Sequence, residues 1–247
     1  MNREIQHITV LLGAAFLTGI LSAGAGEDPC MLATPITGPK ILVWDARTNA
    51  SERVLKRFLK TNDPARLGAP GLAVTTLREP ISGDCFQAAS AKLANPDVSM
   101  VVMLINGGSI QPRLSVFPEE RIGLINADRF SSILLEKILL REIWRTIGFT
   151  GGAGYAPYRG CVMQPAFNDN EIAALMGDVL QPMTLQPFRK FEDRFKMKRT
   201  RMVPYELACE QGWAPAPTND IQKAIWDKVH AAPKNPMTIE FDPKKGR

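Results

Sequence analysis

Apolar residues surround almost the whole circumference of the segment 131–147 when it is drawn as a helix. They are Ile133, Leu134, Leu135, Ile138, Leu139, Leu140, Ile143, Trp144 and Ile147. A helix that is apolar on every side is buried. The charged residues in its second half, Arg141, Glu142 and Arg145, are therefore predicted to be partly desolvated, so that each requires a partner. We expect Gly148 to end this helix in the left-handed conformation.

Upstream of this segment, shorter apolar runs predict four strands. They lie at 40–46, 71–78, 98–105 and 121–126. The run at 98–105 is continuous and flanked by turn residues, which is typical of a strand buried on both faces. Asn49 or Ser51 is expected to cap a helix after the first strand, and Asp84 a helix after the second. This order predicts an α/β fold of the α+β type, with a mixed sheet that leads into the long buried helix.

Downstream, Asn168 and Glu171 form a capping box that predicts a helix over 171–180. A change of composition near residue 184 predicts a C-terminal extension, with helices at 188–201 and 219–229 and a loose tail from residue 233. The predicted organisation is a removable leader at 1–25, a main domain at 26–183 and the extension at 184–247.

Residues 141–148 have the spacing of the zinc-peptidase helix HExxHxxG, with arginine where each histidine would stand. In that motif two histidines four residues apart share a helix face and bind one Zn²⁺, and the intervening glutamate acts as general base on the metal-bound water. The corresponding residues here are Arg141, Glu142 and Arg145. The position of a third ligand, three residues after the glycine, is Gly151.

Cys161, Val162 and Met163 stand where a metzincin has its Met-turn, the methionine that lies beneath the metal. Together with the motif helix, this segment resembles the metzincin clan, and the cysteine directly before Val-Met is most similar to the archaemetzincins. The resemblance implies a zincin-like fold with Met163 under the site. Because all three zinc ligands are missing, it also implies that the peptidase centre is degenerate.

Histidine and cysteine usage points the same way. The chain has two histidines, His7 and His230, and its four cysteines include no CxxC pair. Neither a three-histidine site nor a cysteine-rich zinc site can be built from them, so we expect no metal and no cofactor. One histidine after the leader also disfavours Ser-His and Cys-His catalysis, and no GxSxG segment is present.

The N-terminus has the pattern of a secretory signal peptide: a positive charge, a short apolar run and a small-x-small segment at 23–25. We therefore expect a secreted or periplasmic protein that is not transmembrane after processing. An even number of cysteines in an oxidising compartment predicts two disulfides, with the pairing left open. The candidates are Cys30, Cys85, Cys161 and Cys209. Export also argues against a nucleic-acid partner, despite the formal net charge of +5.

Two candidate binding regions follow. Arg141 and Arg145 could form an anion pocket beside Glu142 that receives a carboxylate. Alternatively, the three residues could form an internal ion-pair network that closes a cleft without catalytic function. The predicted helix 188–201 carries Phe188, Phe191 and Phe195 among seven basic and two acidic residues. It could bind an anionic surface, or its phenylalanines could belong to the core.

The function predicted from the sequence is an exported, catalytically degenerate metzincin-like protein that acts as a binding or scaffold module. Its partner would be an unknown protein, a peptide or an acidic glycan. The alternative is a metal-independent hydrolase of extracellular protein or glycoprotein that uses Glu142 with a second carboxylate, such as Asp45, Asp128 or Asp169. A third possibility is that the motif spacing is coincidental and the chain is another exported α/β domain.

Overall fold

The computed structural model describes residues 30–109, 111–130, 132–157 and 160–231. Those residues contain seven strands and seven α-helices. The expected leader at 1–25 and the expected loose tail from residue 233 lie outside the described residues. Within these residues, no helix is both long enough and apolar enough to cross a membrane.

The main sheet has five strands in the order β3-β2-β4-β6-β5. Their bounds are β2 (Lys40–Asp45), β3 (Val74–Arg78), β4 (Val98–Ile105), β5 (Leu114–Phe117) and β6 (Ile122–Asn126). The first four in spatial order pair in parallel, and β5 pairs antiparallel to β6. The predicted α/β fold with a mixed sheet is therefore confirmed. The sequence pattern missed β5, which has only four residues, all of them partly exposed.

Helices cover both faces of this sheet, as the continuous apolar run of β4 requires. Alternate residues of β4 belong to two separate hydrophobic clusters, one on each face. Helices α1 (Glu52–Asn62) and α3 (Leu135–Thr150) contribute to the first cluster, and α2 (Cys85–Leu93) covers the second. Ser51 caps α1 and Asp84 caps α2 through their side chains, as expected.

The helix α3 is the long buried helix that the sequence predicts, and Arg141, Glu142 and Arg145 are all buried within it. The expectation that Gly148 ends the helix is wrong. The helix continues to Thr150, and the positive φ of 87° belongs to Gly152. Gly148 is instead a point of close packing, because a Cβ there would lie 2.7 Å from the sulfur of Met163.

The helix α4 (Asp169–Ala174) begins at the predicted capping box but is shorter than predicted. Asn168 accepts a hydrogen bond from the backbone N–H of Glu171, and the Glu171 carboxylate accepts one from the N–H of Phe167. The chain leaves the helical conformation at Leu175. A physical reason is that Arg141 takes up the carbonyl oxygens that a longer helix would use, as described below.

The C-terminal part is helical, as predicted, and it folds back on the rest of the chain. It comprises α5 (Leu185–Phe195), β7 (Met202–Pro204), α6 (Tyr205–Glu210) and α7 (Asp220–Ala231). Phe188 and Phe191 are buried in the first hydrophobic cluster. The strand β7 pairs antiparallel with β1 (Met31–Ala33), a small second sheet that the sequence pattern did not indicate. Residues on both sides of the predicted boundary at 184 thus share one core.

Candidate functional site

Arg141 occupies the position of the first histidine of the zinc-peptidase motif, and its donors are engaged by the chain itself. Its Nη1 donates to the carbonyl oxygens of Ile172 and Ala173, both at 2.7 Å, and its Nη2 donates to that of Leu175. Its Nε donates to Asp178 at 3.1 Å. A planar guanidinium has five N–H donors, so one side chain here organises the whole end of α4.

Arg145, at the position of the second histidine, holds the segment that contains Met163. Its Nη1 donates to the carbonyl oxygens of Val162 at 3.4 Å and Gln164 at 2.7 Å. Its Nη2 donates to that of Ala166 at 3.2 Å. The backbone on either side of Met163 is therefore fixed to the motif helix by one guanidinium.

Glu142 lies between the two arginines and is only 4 % exposed. The Nε of Arg145 is 3.3 Å from its Oε1. Among the described residues, the Arg145 Nε is itself buried and has no well-aligned hydrogen-bond acceptor. An ion pair whose donor is not aligned with the carboxylate only partly offsets the free energy lost when both charges leave water.

The electrostatic surroundings of Glu142 extend to a second ion pair. Arg113, just before β5, binds Asp169 at the start of α4 with an N–O distance of 2.5 Å. Burial raises the pKa of the Glu142 carboxyl group; Arg145 and Arg113 oppose this, and the charge of Asp169 adds to it. Four charges from α3, α4 and the residue before β5 thus form one partly buried group.

The third ligand position is filled by packing. Gly151 lies at the end of α3, and a Cβ at this position would overlap the ring of Phe188. Phe188 is fully buried in α5. Since the ring occupies the space next to Gly151, no larger residue fits there without movement of α5.

Met163 and Cys161 lie in the buried turn beside the motif helix. Met163 contacts Gly148, and its backbone carbonyl accepts a hydrogen bond from the N–H of Ala156 at 3.0 Å. The Cys161 sulfur lies 3.4 Å from the hydroxyl oxygen of Thr184 and accepts from the N–H of Met163. This segment is therefore held by hydrogen bonds from Arg145 and by contacts with Ala156 and Thr184.

The resemblance stated above implies zinc, and the residues present do not fit it. A Zn²⁺ ligand needs a free electron pair on nitrogen, sulfur or oxygen; a guanidinium is a permanent cation without one, and glycine has no side chain. Within the described parts of the chain, no three His, Cys, Asp or Glu side chains come together in a way that could hold a metal ion.

Above this group the surface is aromatic. Tyr155 is 53 % exposed and Phe167 is 73 % exposed, with ring centroids 6.3 Å apart. Phe149 supports Tyr155 edge-on at 5.2 Å. The guanidinium carbon of Arg145 lies 5.8 Å from the rings of both Phe149 and Tyr155. We call Tyr155 and Phe167 the aromatic ledge; no local sequence pattern indicates it.

The remaining sequence candidates lie elsewhere. Asp45 forms a buried bidentate pair with Arg47, and Asp128 accepts hydrogen bonds from Asn106 and Gly108 at the surface. Of the three carboxylates proposed beside Glu142, the structure brings Asp169 close enough to affect its pKa. The partners Arg113 and Asp178 were missed, because nothing in their local sequence indicates a contact with α3.

The basic helix predicted at 188–201 is α5, which spans only Leu185–Phe195 because Lys196 adopts the left-handed conformation and ends it. Two of its three phenylalanines are core residues. Phe195 is partly buried, with the guanidinium of Arg194 5.2 Å and that of Arg121 5.0 Å from its ring centroid. The structure shows no disulfide among the described residues. Cys161 lies in the first hydrophobic cluster and Cys85 packs against the second, so the sheet separates these two.

No protein-family model matches the chain, and no curated protein matches its sequence. Solved structures that are similar in shape include three from archaea. An archaemetzincin from Methanopyrus kandleri shares 14 % identity at a TM-score of 0.46, over 64 % of this chain and 97 % of that one. A zinc-dependent peptidase from Methanocorpusculum labreanum shares 11 % identity at a TM-score of 0.45, over 60 % of this chain and 98 % of that one. An archaemetzincin from Archaeoglobus fulgidus, complexed with malonate, shares 13 % identity at a TM-score of 0.41, over 60 % of this chain and 99 % of that one.

Proposed function

We propose that this chain is an exported pseudoenzyme with a metzincin-like fold, and that it acts as a binding or scaffold module without a zinc centre. The observation that carries the proposal is the hydrogen bonding of Arg145. Its guanidinium binds three backbone carbonyls around Met163 at the place where the resemblance would put the metal. The guanidinium of Arg145 thus stabilises the turn that contains Met163.

The burial of the site supports binding at the surface above it in preference to chemistry within it. The donors of Arg141 are directed at carbonyl oxygens and at Asp178, so an anion entering from outside would have to displace the chain's own acceptors. Leaving buried carbonyls unpaired costs about 1–3 kcal/mol each. The internal ion-pair network is therefore the interpretation we adopt for Arg141, Glu142 and Arg145.

The aromatic ledge is the surface we assign to the partner. Large aromatic side chains that stay exposed next to one another are typical of binding sites, since their burial provides much of the affinity. Tyr155 also offers a hydroxyl group at the rim. A protein, a peptide or an acidic glycan remains the proposed class of partner.

The first test is elemental analysis of the purified mature protein, together with a peptidase assay with and without a chelator. We expect substoichiometric zinc and no cleavage in either assay. Stoichiometric zinc, or cleavage that is lost on chelation, would show that other ligands have rebuilt a metal site and would overturn the proposal.

The second test addresses the ledge. Tyr155→Ser combined with Phe167→Ser should abolish capture of a partner from the extracellular fraction, while Met183→Ser should not. Met183 is a matched control because it is also a large exposed apolar residue. Equal loss in both variants, or unchanged capture in the double variant, would reject the ledge as the binding surface.

A metal-independent hydrolase is the second candidate, and one observation favours it. Glu142 has a raised pKa and lies near Asp169, which is paired with Arg113. Two carboxyl groups in such different surroundings can serve as acid and base. This function requires that α4 moves to admit substrate to Glu142. Cleavage that survives chelation and disappears in Glu142→Gln would establish it.

Export is part of the proposal, and the cysteines offer a test of it. Cys30 immediately precedes β1, and its carbonyl accepts a hydrogen bond from the N–H of Tyr205 at 2.6 Å. Cys209 lies one turn further along α6, which packs against β1. We expect Cys30 and Cys209 to pair in the exported protein. Because Cys85 and Cys161 lie on opposite faces of the sheet, this proposal replaces the two disulfides expected from the sequence with one. Non-reducing peptide mapping of the natively exported chain should find this link, and a Cys85–Cys161 link would contradict the fold.

A further inference from the structure

A groove runs between α1 and the start of α3, away from the Arg145 site. Its volume is about 470 Å³. The residues that line it are Arg53, Arg57, Ile133, Leu134, Leu135, Glu136 and Lys137. This volume lies within the range of small-molecule sites, which is roughly 300–1,000 Å³.

The charges that line the groove are unbalanced. Arg53, Arg57 and Lys137 are cations, and Glu136 is the single acidic residue. Arg53 and Glu136 are 3.9 Å apart, and both are solvent-exposed, so their pairing neutralises little. Among the described residues, the side chains of Arg57 and Lys137 make neither an ion pair nor a hydrogen bond. Since Arg53 and Arg57 are four residues apart on one helix face, they repel each other unless an anion lies between them.

The groove also has an apolar side. Ile133 is 89 % exposed, and it lines the groove beside the three cations. Leu134 and Leu135 are partly buried and pack against the first hydrophobic cluster. An apolar strip that continues outward from the core into the groove can bind an alkyl chain.

We propose that this groove binds a single-chain anionic amphiphile, whose acidic head group pairs with Arg57, Arg53 and Lys137 and whose alkyl chain covers Ile133. Both parts of such a ligand have a complement in the lining. The volume of about 470 Å³ is that of a site for one small molecule, which is the occupant we choose over the face of a bilayer. The site shares no residue with the Arg145 group or the aromatic ledge, so it goes beyond the function proposed above.

The test uses the full mature chain and isothermal titration calorimetry with decyl sulfate, below the concentration at which it forms micelles. Inorganic sulfate supplies the head group alone, and decyl maltoside supplies the alkyl chain with an uncharged head group. We expect saturable binding of decyl sulfate, and at least tenfold weaker binding of each of the other two. Affinity for decyl sulfate should fall as salt is added, because part of it is electrostatic.

Two variants and two matched controls locate the site. Arg57→Ala and Ile133→Ser should each weaken decyl sulfate binding about tenfold, which corresponds to about 1.4 kcal/mol. Arg66→Ala and Leu67→Ser remove an equally exposed arginine and a fully exposed leucine in the loop after α1, and should change affinity less than twofold. All four side chains are exposed, so thermal unfolding should be unaltered.

Three results would overturn the proposal. The first is the absence of saturable binding to decyl sulfate. The second is equal weakening by Arg57→Ala and Arg66→Ala, which would indicate non-specific attraction to a basic protein. The third is binding to vesicles that contain an anionic phospholipid without binding to monomeric decyl sulfate, which would assign the surface to a membrane. None of these results affects the metal analysis or the capture experiment.

Discussion

The Nε of Arg145 lies 3.3 Å from the Oε1 of Glu142, three residues earlier on the same buried helix, and the same guanidinium binds the backbone on both sides of Met163. One cation therefore serves two buried acceptor groups at once. Removal of Arg145 would leave a carboxylate and several carbonyl oxygens without a partner.

We expect Arg145→Met to lower the free energy of unfolding by about 3–5 kcal/mol, because breaking a buried ion pair leaves one charge uncompensated. The combination of Arg145→Met with Glu142→Gln should cost less than Arg145→Met alone, since the uncompensated charge is also gone. Chemical denaturation of the four members of this cycle measures the difference. Additive costs would show that the two side chains do not interact.

The raised pKa of Glu142 predicts how stability depends on pH. The folded protein holds the Glu142 proton at higher pH than the unfolded chain does, so folding is favoured below the ordinary glutamate pKa and this contribution is lost as pH rises through the folded-state value. Glu142→Gln should remove that part of the dependence. Unfolding free energies of both proteins, measured from about pH 4 to 8, test this, and parallel curves would contradict it.

Gly151→Ala should destabilise the protein by about 2 kcal/mol, because the added methyl group overlaps the ring of Phe188 in a packed core. Gly154→Ala is the matched control, since a Cβ there has no neighbour within 4 Å. In a Phe188→Ala background the cost of Gly151→Ala should disappear. Thermal unfolding of these variants is sufficient, and a persistent cost would mean that the backbone at Gly151 is the cause.

Arg141→Lys keeps the positive charge but loses the planar fork that reaches three carbonyls and Asp178. We expect faster amide hydrogen exchange over residues 169–178 and little change over β4 on the other side of the core. Asp178→Asn should have a smaller effect, because the carbonyl contacts remain. Uniformly faster exchange throughout the chain would show instead that Arg141 acts on global stability.

The sequence was sufficient for the parts of the fold that depend on periodicity. The uninterrupted apolar run of β4 and the all-round apolar surface of α3 predicted where these elements lie, and their burial forced Arg141, Glu142 and Arg145 to have partners. The partners themselves were not predictable. The carbonyls of residues 172–175 and the carboxylate of Asp178 reach Arg141 only because the chain after α3 turns back, and no local pattern records that contact.

The misplaced end of α3 has a similar cause. Judged from its neighbours in the sequence, Gly148 has the features of a helix terminator. In the fold it is a glycine because the side chain of Met163 leaves no room for a Cβ at this position. The sequence shows that glycine stands at the third ligand position, Gly151. It does not show that the ring of Phe188 fills the space beside this glycine. The local sequence pattern predicts the helix, whereas the role of a glycine within it depends on tertiary packing.

The pairing of β1 with β7 sets an order of events during synthesis. The N–H of Arg201 donates to the hydroxyl oxygen of Thr34 at a separation of 167 residues, and Thr200 binds the carbonyl of Gly71. The strand β1 must therefore wait until β7 has been synthesised, more than a hundred residues later, before it has a neighbour. Contacts of such long range form late and slowly. During that interval the backbone N–H and C=O groups of β1 have no strand to pair with, and an unpaired strand edge favours pairing with other chains.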